Sequence, residues 1–206
     1  MSSKKKKRIV RSIPKYKANV KSQKQKHEEF EGRMANLFTD EQYPIYDAAS
    51  SQQIFKTGMG SVLLSRVINS QKIAFGVFLL DAYCLGVKNA FYKEDTRIKY
   101  SKFKQQMYEN DPMEEIAPSY ARKLIEECVR YAQEIGLPPH KDYQKAKRIF
   151  GNIDSGDCPA IFTFGKDGKP FFISGPKDTQ QRCREIIEIL ERKCGSGNYD
   201  YIMVAD

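Results

Sequence analysis

The chain has 206 residues, 40% of them apolar, with 35 Lys or Arg against 26 Asp or Glu and a formal charge of +9. Its mean hydropathy is −0.62. That length suits one substantial domain with an appendage, and that hydropathy excludes an integral membrane protein. Five widely spaced cysteines exclude a disulfide scaffold.

The charge is not spread evenly. Residues 1–26 carry eleven cations (Lys4, Lys5, Lys6, Lys7, Arg8, Arg11, Lys15, Lys17, Lys21, Lys24 and Lys26) and no acidic residue. All 26 acidic groups and the remaining 24 basic groups lie in the other 180 residues, which are net −2. The basicity therefore belongs to an arm and not to the body. A flexible cationic arm meets RNA or DNA phosphates by counterion release, without reading sequence. An anionic lipid surface is a poorer partner, because only Ile9, Val10 and Ile13 interrupt the early polar run. In a eukaryote Lys4–Arg8 would pass as a nuclear import signal. The bland alternative is a solvated tail that aids solubility. With no secretory segment and no 18-residue apolar run, a cytoplasmic location and no membrane partner are expected.

Residues 1–14 are expected to be disordered. The spacing permits a polar helix over about Lys15–Phe38, docking from residue 28 through Phe30, Met34, Leu37 and Phe38. Asp40–Gln53 reads as a loop, with Pro44 and two serines. The division expected is a basic arm (1–26), a helix and linker (27–56) and an α+β domain (57–206). Within that domain Thr57–Gly60 is a turn signal. Ser61–Ile68 and Lys72–Leu80 are β-rich runs joined by Asn69-Ser70-Gln71, which predicts an antiparallel hairpin. Ala82–Phe91 admits a third strand after a bulge near Asp81, or a helix capped by Asp81.

Ser119 precedes the clearest helix, with Ala121, Leu124, Ile125, Cys128, Ala132 and Ile135 at three- and four-residue steps and Gly136 as its stop. A shorter helix follows at Asp142–Phe150. Ala160–Phe164 and Pro170–Ser174 read as strands around Lys166-Asp167-Gly168-Lys169. A helix at Asp178–Lys193, with Asp178 and Gln181 at capping-box spacing, and a closing strand at Tyr199–Val204 complete the pattern. The class expected is α+β, a single domain of antiparallel strands and packed helices behind the arm.

Three stretches carry a resemblance. They are F-G-V-F-L-L-D-A-Y-C-L-G-V-K-N-A-F at Phe75–Phe91, Y-A-Q-E-I-G-L-P-P-H-K-D-Y-Q-K-A and I-F-G-N-I-D within Tyr131–Asp154, and F-G-K-D-G-K-P-F-F-I-S-G-P with R-C-R-E-I-I-E-I-L-E-R beyond it. Together they resemble an uncharacterised bacterial protein family whose members sometimes carry a C-terminal SEC-C metal-binding motif. The similarity spans residues 60–204. It implies a single body and a bacterial cytoplasm, and no particular activity. The SEC-C cysteine–histidine cluster is absent from this chain.

Chemistry-bearing residues are few. Cys84, Cys128, Cys158, Cys183 and Cys194 form no CxxC half-site, and His27 and His140 are the two histidines, so neither a bound metal nor a cofactor is expected. Asp81 ends an apolar run. It serves either as a cap for local N–H groups, or as one carboxylate of a metal-dependent hydrolase or nuclease with Asp154, Asp157 and Glu126 or Glu127. Gly175-Pro176-Lys177 precedes a helix and reads as a strand-to-helix turn, or as a phosphate seat. Lys88, Lys93, Arg97, Lys99 and Lys102 interleave with Tyr100 and other aromatics, as RNA-contacting segments do. The leading expectation is non-catalytic association with RNA, a ribosome or DNA. The alternatives are the Asp81 hydrolase and a protein-interaction module with a solubility tail.

Overall fold

A computed structural model of the chain describes residues 43–203 apart from Lys177. The arm, with its candidates Lys4 through Lys17, and the expected helix at Lys15–Phe38 lie outside the described residues.

The expected hairpin forms β2 (Met59–Val67) and β3 (Lys72–Asp81), paired antiparallel from Met59↔Asp81 to Val67↔Ile73. Asn69 closes it, its Oδ1 accepting from the N–H of Gln71 and of Lys72. β3 is buried almost throughout, because both faces of the sheet are covered. Its run is therefore continuously apolar where a half-exposed antiparallel strand would alternate. Ala82–Phe91 resolves as a turn followed by strand β4 (Gly86–Thr96), antiparallel to β3.

The expected loop at Asp40–Gln53 is instead strand β1 (Ile45–Ser51), which pairs with β2 on one side and with β5 (Met113–Glu115) on the other. Its signal is weak because its buried residues are Ala48, Ala49, Ser50 and Ser51. Such small side chains resemble loop composition, yet they let helices approach the sheet closely. β1 and the short helix α1 (Ile54–Thr57) place part of the expected linker inside the domain. The sheet order is β4-β3-β2-β1-β5, and every neighbouring pair is antiparallel.

Helices cover both faces. On one, α2 (Arg97–Asn110) lays Tyr100, Phe103 and Met107 over Leu63, Ile73, Phe75 and Met113. Thr96 caps it by accepting from the Lys99 N–H. On the other, α3 (Pro118–Glu134) packs Ala121, Leu124, Ile125 and Cys128 against Leu64, Ala74, Phe78 and Leu80. Pro118, and not Ser119, opens this helix, with Ala117 at its cap. Proline suits that first turn because its fixed φ is helical and no N–H is needed there. Gly136 follows the helix at φ +87°, a conformation that costs a side-chain-bearing residue energy. α4 (Tyr143–Ala146) runs into a 3₁₀ turn, Lys147–Phe150, as the second half of the shorter predicted helix.

The C-terminal third differs from expectation in one pairing. Asp167 (φ +53°) and Gly168 (φ +80°) make the tight turn, but only Lys166 and Lys169 bridge across it. Residues 160–164 form no strand. Phe162 and Phe164 instead pack against Phe55, Tyr120 and Tyr131. β6 (Phe171–Ile173) pairs in parallel with β7 (Asp200–Ile202), and α5 (Gln180–Cys194) forms the crossover between them. Thr179 caps α5 by accepting from the Arg182 N–H, so Asp178 does not act as the cap. Cys183, Ile186 and Leu190 of α5 pack with Cys84, Leu85, Ala132 and Leu137. This seats the crossover on the turn that joins β3 to β4. The result is one packed α+β domain. Among the described residues no helix is long and apolar enough to cross a membrane.

Candidate functional site

Asp81 closes the central strand β3 and is only 4% exposed. Its Oδ1 accepts from the N–H of Tyr83 at 3.1 Å and of Cys84 at 2.9 Å, which holds the turn into β4. Of its two readings, this geometry is the cap. Burial pushes its carboxyl up to about 6, against the opposing pull of those N–H donors and of Lys88. Three of the suggested metal companions are engaged elsewhere, and Asp157 lies in the 3₁₀ turn Ser155–Asp157 that follows Asp154. Asp154 Oδ1 accepts from Gly156 N–H, Glu126 pairs with Arg122 and Glu127 with Arg130. Among the described residues no three acidic, histidine or cysteine side chains converge as a metal site.

Lys88 owes its position to a break in the β3–β4 ladder. Leu79 pairs with Asn89 while Leu80 pairs with Val87, so Lys88 is an extra residue on the β4 side. Such a bulge bends the strand and re-aims one side chain. Lys88 Nζ lies 3.2 Å from Asp178 Oδ2, at the approach to α5. The same carboxylate oxygen accepts from the Gly175 N–H at 2.7 Å.

Two cavities meet at this lysine. The smaller, about 140 Å³, is lined by Gly58, Asp81, Tyr83, Phe171 and Ser174 as well as by Lys88. The larger is a cleft of about 370 Å³ between β4, the Pro138-Pro139 turn and α5. Leu85, Val87, Leu137 and Ile186 supply its apolar lining, and Lys88, His140, Lys141, Asp178 and Arg182 supply its polar groups. His140 is anchored twice. Its backbone N–H donates to Val87 O at 2.9 Å, and its ring Nδ1 accepts from the Asp142 backbone N–H at 3.3 Å. A neutral ring with that acceptor carries its proton on Nε2.

The other body residues singled out for nucleic acid lie apart from this cleft. Lys93 is five positions further along β4, about 17 Å away at strand rise. Lys93 and Lys99 meet at Asp95, at 2.7 and 3.8 Å. Arg97 donates from Nε to Ser70 O and stacks its guanidinium 5.0 Å above the Tyr46 ring. Lys102 is exposed on α2. Tyr100 requires a correction. It is 1% exposed, and its hydroxyl lies 2.6 Å from Asp47 Oδ2 and 3.0 Å from Ser65 Oγ. Its ring belongs to the core with Phe75 and cannot stack on a base.

Sequence reasoning missed the convergence of Lys141, Asp178 and Arg182 with Lys88. The Pro138-Pro139 pair and the helix start after Gly175-Pro176 are legible signals, but the bulge that joins them is a register feature with no motif. No protein-family model, no curated protein and no solved structure matches the chain.

Proposed function

We propose that the protein is a non-catalytic, nucleic-acid-associated protein of the cytoplasm, with RNA or a ribosome as the preferred partner. The basic arm supplies affinity and the α+β body supplies position or a partner contact. The observation that carries this reading is the segregation of charge: +11 within residues 1–26 against −2 for the rest. A chain segment of that density gains free energy by releasing condensed counterions from a phosphate backbone. Exposed Lys93, Lys99 and Lys102 extend the cationic surface onto the body, though Asp95 offsets part of it. The resemblance of residues 60–204 to an uncharacterised bacterial family fits a bacterial cytoplasm and brings no reaction with it.

The test is anisotropy of a fluorescein-labelled single-stranded 20-mer RNA against two full-length proteins. One is the natural chain. In the other, Lys4, Lys5, Lys6, Lys7 and Arg8 are all replaced by Gln. Binding by the first and a loss of tenfold or more in the second supports the reading. Equal binding moves the contact away from Lys4–Arg8, to the later arm cations or the body. Absence of binding by both at low salt overturns the reading in favour of a protein-interaction module.

A further inference from the structure

We infer that the cleft between β4, the Pro138-Pro139 turn and α5 is a binding site for a small phosphate monoester with an apolar body. The inference does not depend on the arm and stands or falls separately from the nucleic-acid reading.

The cleft has the make-up of a ligand site. Its volume of about 370 Å³ falls in the range of small-molecule pockets. Its lining divides into an apolar part, from Leu85, Val87, Leu137 and Ile186, and a charged part. The apolar side chains favour burial of a hydrocarbon or aromatic body, and the charged ones fix its head.

The charge count selects the head. Among the lining residues Lys88, Lys141 and Arg182 stand against one carboxylate, Asp178, a formal excess of two positive charges, with Glu185 beside Arg182 and Asp142 beside His140 outside the lining. A phosphate monoester is close to dianionic at neutral pH and matches that excess. A carboxylate would leave one charge unmatched. Arg182 is not locked elsewhere. Its one ion pair among the described residues, to Glu185 at 3.8 Å, has both side chains about half exposed, and such pairs contribute little. Lys141 makes no ion pair among the described residues. Arg182 offers a planar fork to two phosphate oxygens, and His140 offers a donor at Nε2 whose orientation is set by the bond at Nδ1.

The backbone is shaped for this arrangement. The bulge turns Lys88 out of the ladder and into the cleft, and Asp178, whose carboxylate accepts from the Gly175 N–H, holds its ammonium in place. An ordered ammonium loses less freedom on binding than a solvated one. Arg182 sits in the first turn of the 15-residue helix α5, whose positive dipole end adds to the same field.

The experiment is calorimetric titration of the full-length protein with phenyl phosphate, inorganic phosphate and phenol as separate probes. Phenyl phosphate should bind with one-to-one stoichiometry and more tightly than either of the other two. Arg182→Gln and Lys141→Gln should each weaken it by fivefold or more, with unchanged circular dichroism. Both side chains reach solvent, so these variants keep the fold. Lys102→Gln, on the far helix α2, should leave binding unchanged. The five-glutamine arm variant should also bind phenyl phosphate as the natural chain does. No saturable binding at millimolar probe, equal binding by the Arg182 and Lys141 variants, or loss of binding in the arm variant would each overturn the assignment. A failure of the arm variant to bind RNA would leave it untouched.

Discussion

Replacing Asp81 by asparagine removes one ionisable proton while keeping the acceptor oxygen that Tyr83 and Cys84 use. The folded carboxyl titrates near 6, because burial outweighs the two N–H donors and Lys88. An aspartate in an unfolded chain titrates near 3.9. The folded state therefore holds its proton more tightly. The stability contributed by this group is complete below the unfolded value and is lost as pH rises through 6. A difference of about two pH units corresponds to about 3 kcal/mol over the whole range. Between pH 4 and pH 8 about 2 kcal/mol of it is seen, since the unfolded chain is itself partly titrated at pH 4. Any fixed cost of the new amide N–H₂ is the same at both pH values and cancels. Urea unfolding of the natural chain and of Asp81→Asn at the two pH values measures this. At pH 8 the asparagine variant should gain about 2 kcal/mol relative to its standing at pH 4. With a slope of about 2 kcal/mol per molar for a domain of this size, that is a midpoint difference of about 1 M. An effect of the same size at both pH values, or one of opposite sign, would refute the reasoning. It would mean that the N–H donors and Lys88 stabilise the anion at least as much as burial penalises it.

Arg66 is buried, and its guanidinium donates to the carbonyls of Tyr43, Ile149 and Phe150 at 2.6–2.8 Å. Arg66→Lys keeps the charge and loses the fork. It should cost about 2–4 kcal/mol in urea unfolding, and unchanged stability would contradict the role assigned to those carbonyls. Gly86 has φ +66°, and a Cβ there would lie 2.7 Å from Ala132 Cβ and 2.8 Å from Cys128 O. Gly86→Ala should therefore destabilise by about 3 kcal/mol, and a thermal midpoint within a degree of the natural chain would count against the close approach of α3 to β4. Burial pushes the Cys84 and Cys128 thiols well above the usual range, so both should resist Ellman's reagent in the folded state and react only on unfolding. Prompt reaction of either in the native protein would refute their placement.

The sequence was most legible where local period and packing agree. The β2–β3 hairpin, α3 and α5 follow directly from their apolar spacing, the first two helped by Asn69 and Gly136, whereas the cap of α5 falls on Thr179 and not on the expected Asp178. β1 was illegible because Ala48, Ala49, Ser50 and Ser51 are buried by neighbours far along the chain, and nothing local demands a strand there. The missing hairpin at 160–164 has a similar cause. Its turn chemistry is right, but Phe162 and Phe164 gain more from Phe55, Tyr120 and Tyr131 than from a ladder. Tyr100 looked like a stacking residue because basic–aromatic interleaving describes a helix with a buried aromatic face equally well. The cleft was partly visible, in the Pro-Pro turn and in the helix start after Gly175. Its centre was not, because a bulge at Lys88 depends on how β3 and β4 register.

The salt dependence of RNA binding tests the central claim most directly. The affinity of the full chain for a single-stranded 20-mer should fall linearly on a log–log plot against salt concentration. Replacing Lys4, Lys5, Lys6, Lys7 and Arg8 by Gln should flatten that slope by about 3 to 4, at roughly 0.7 per cation that contacts a phosphate. A slope that is unchanged by the five substitutions, or an affinity that does not depend on salt, would contradict the arm as the source of binding.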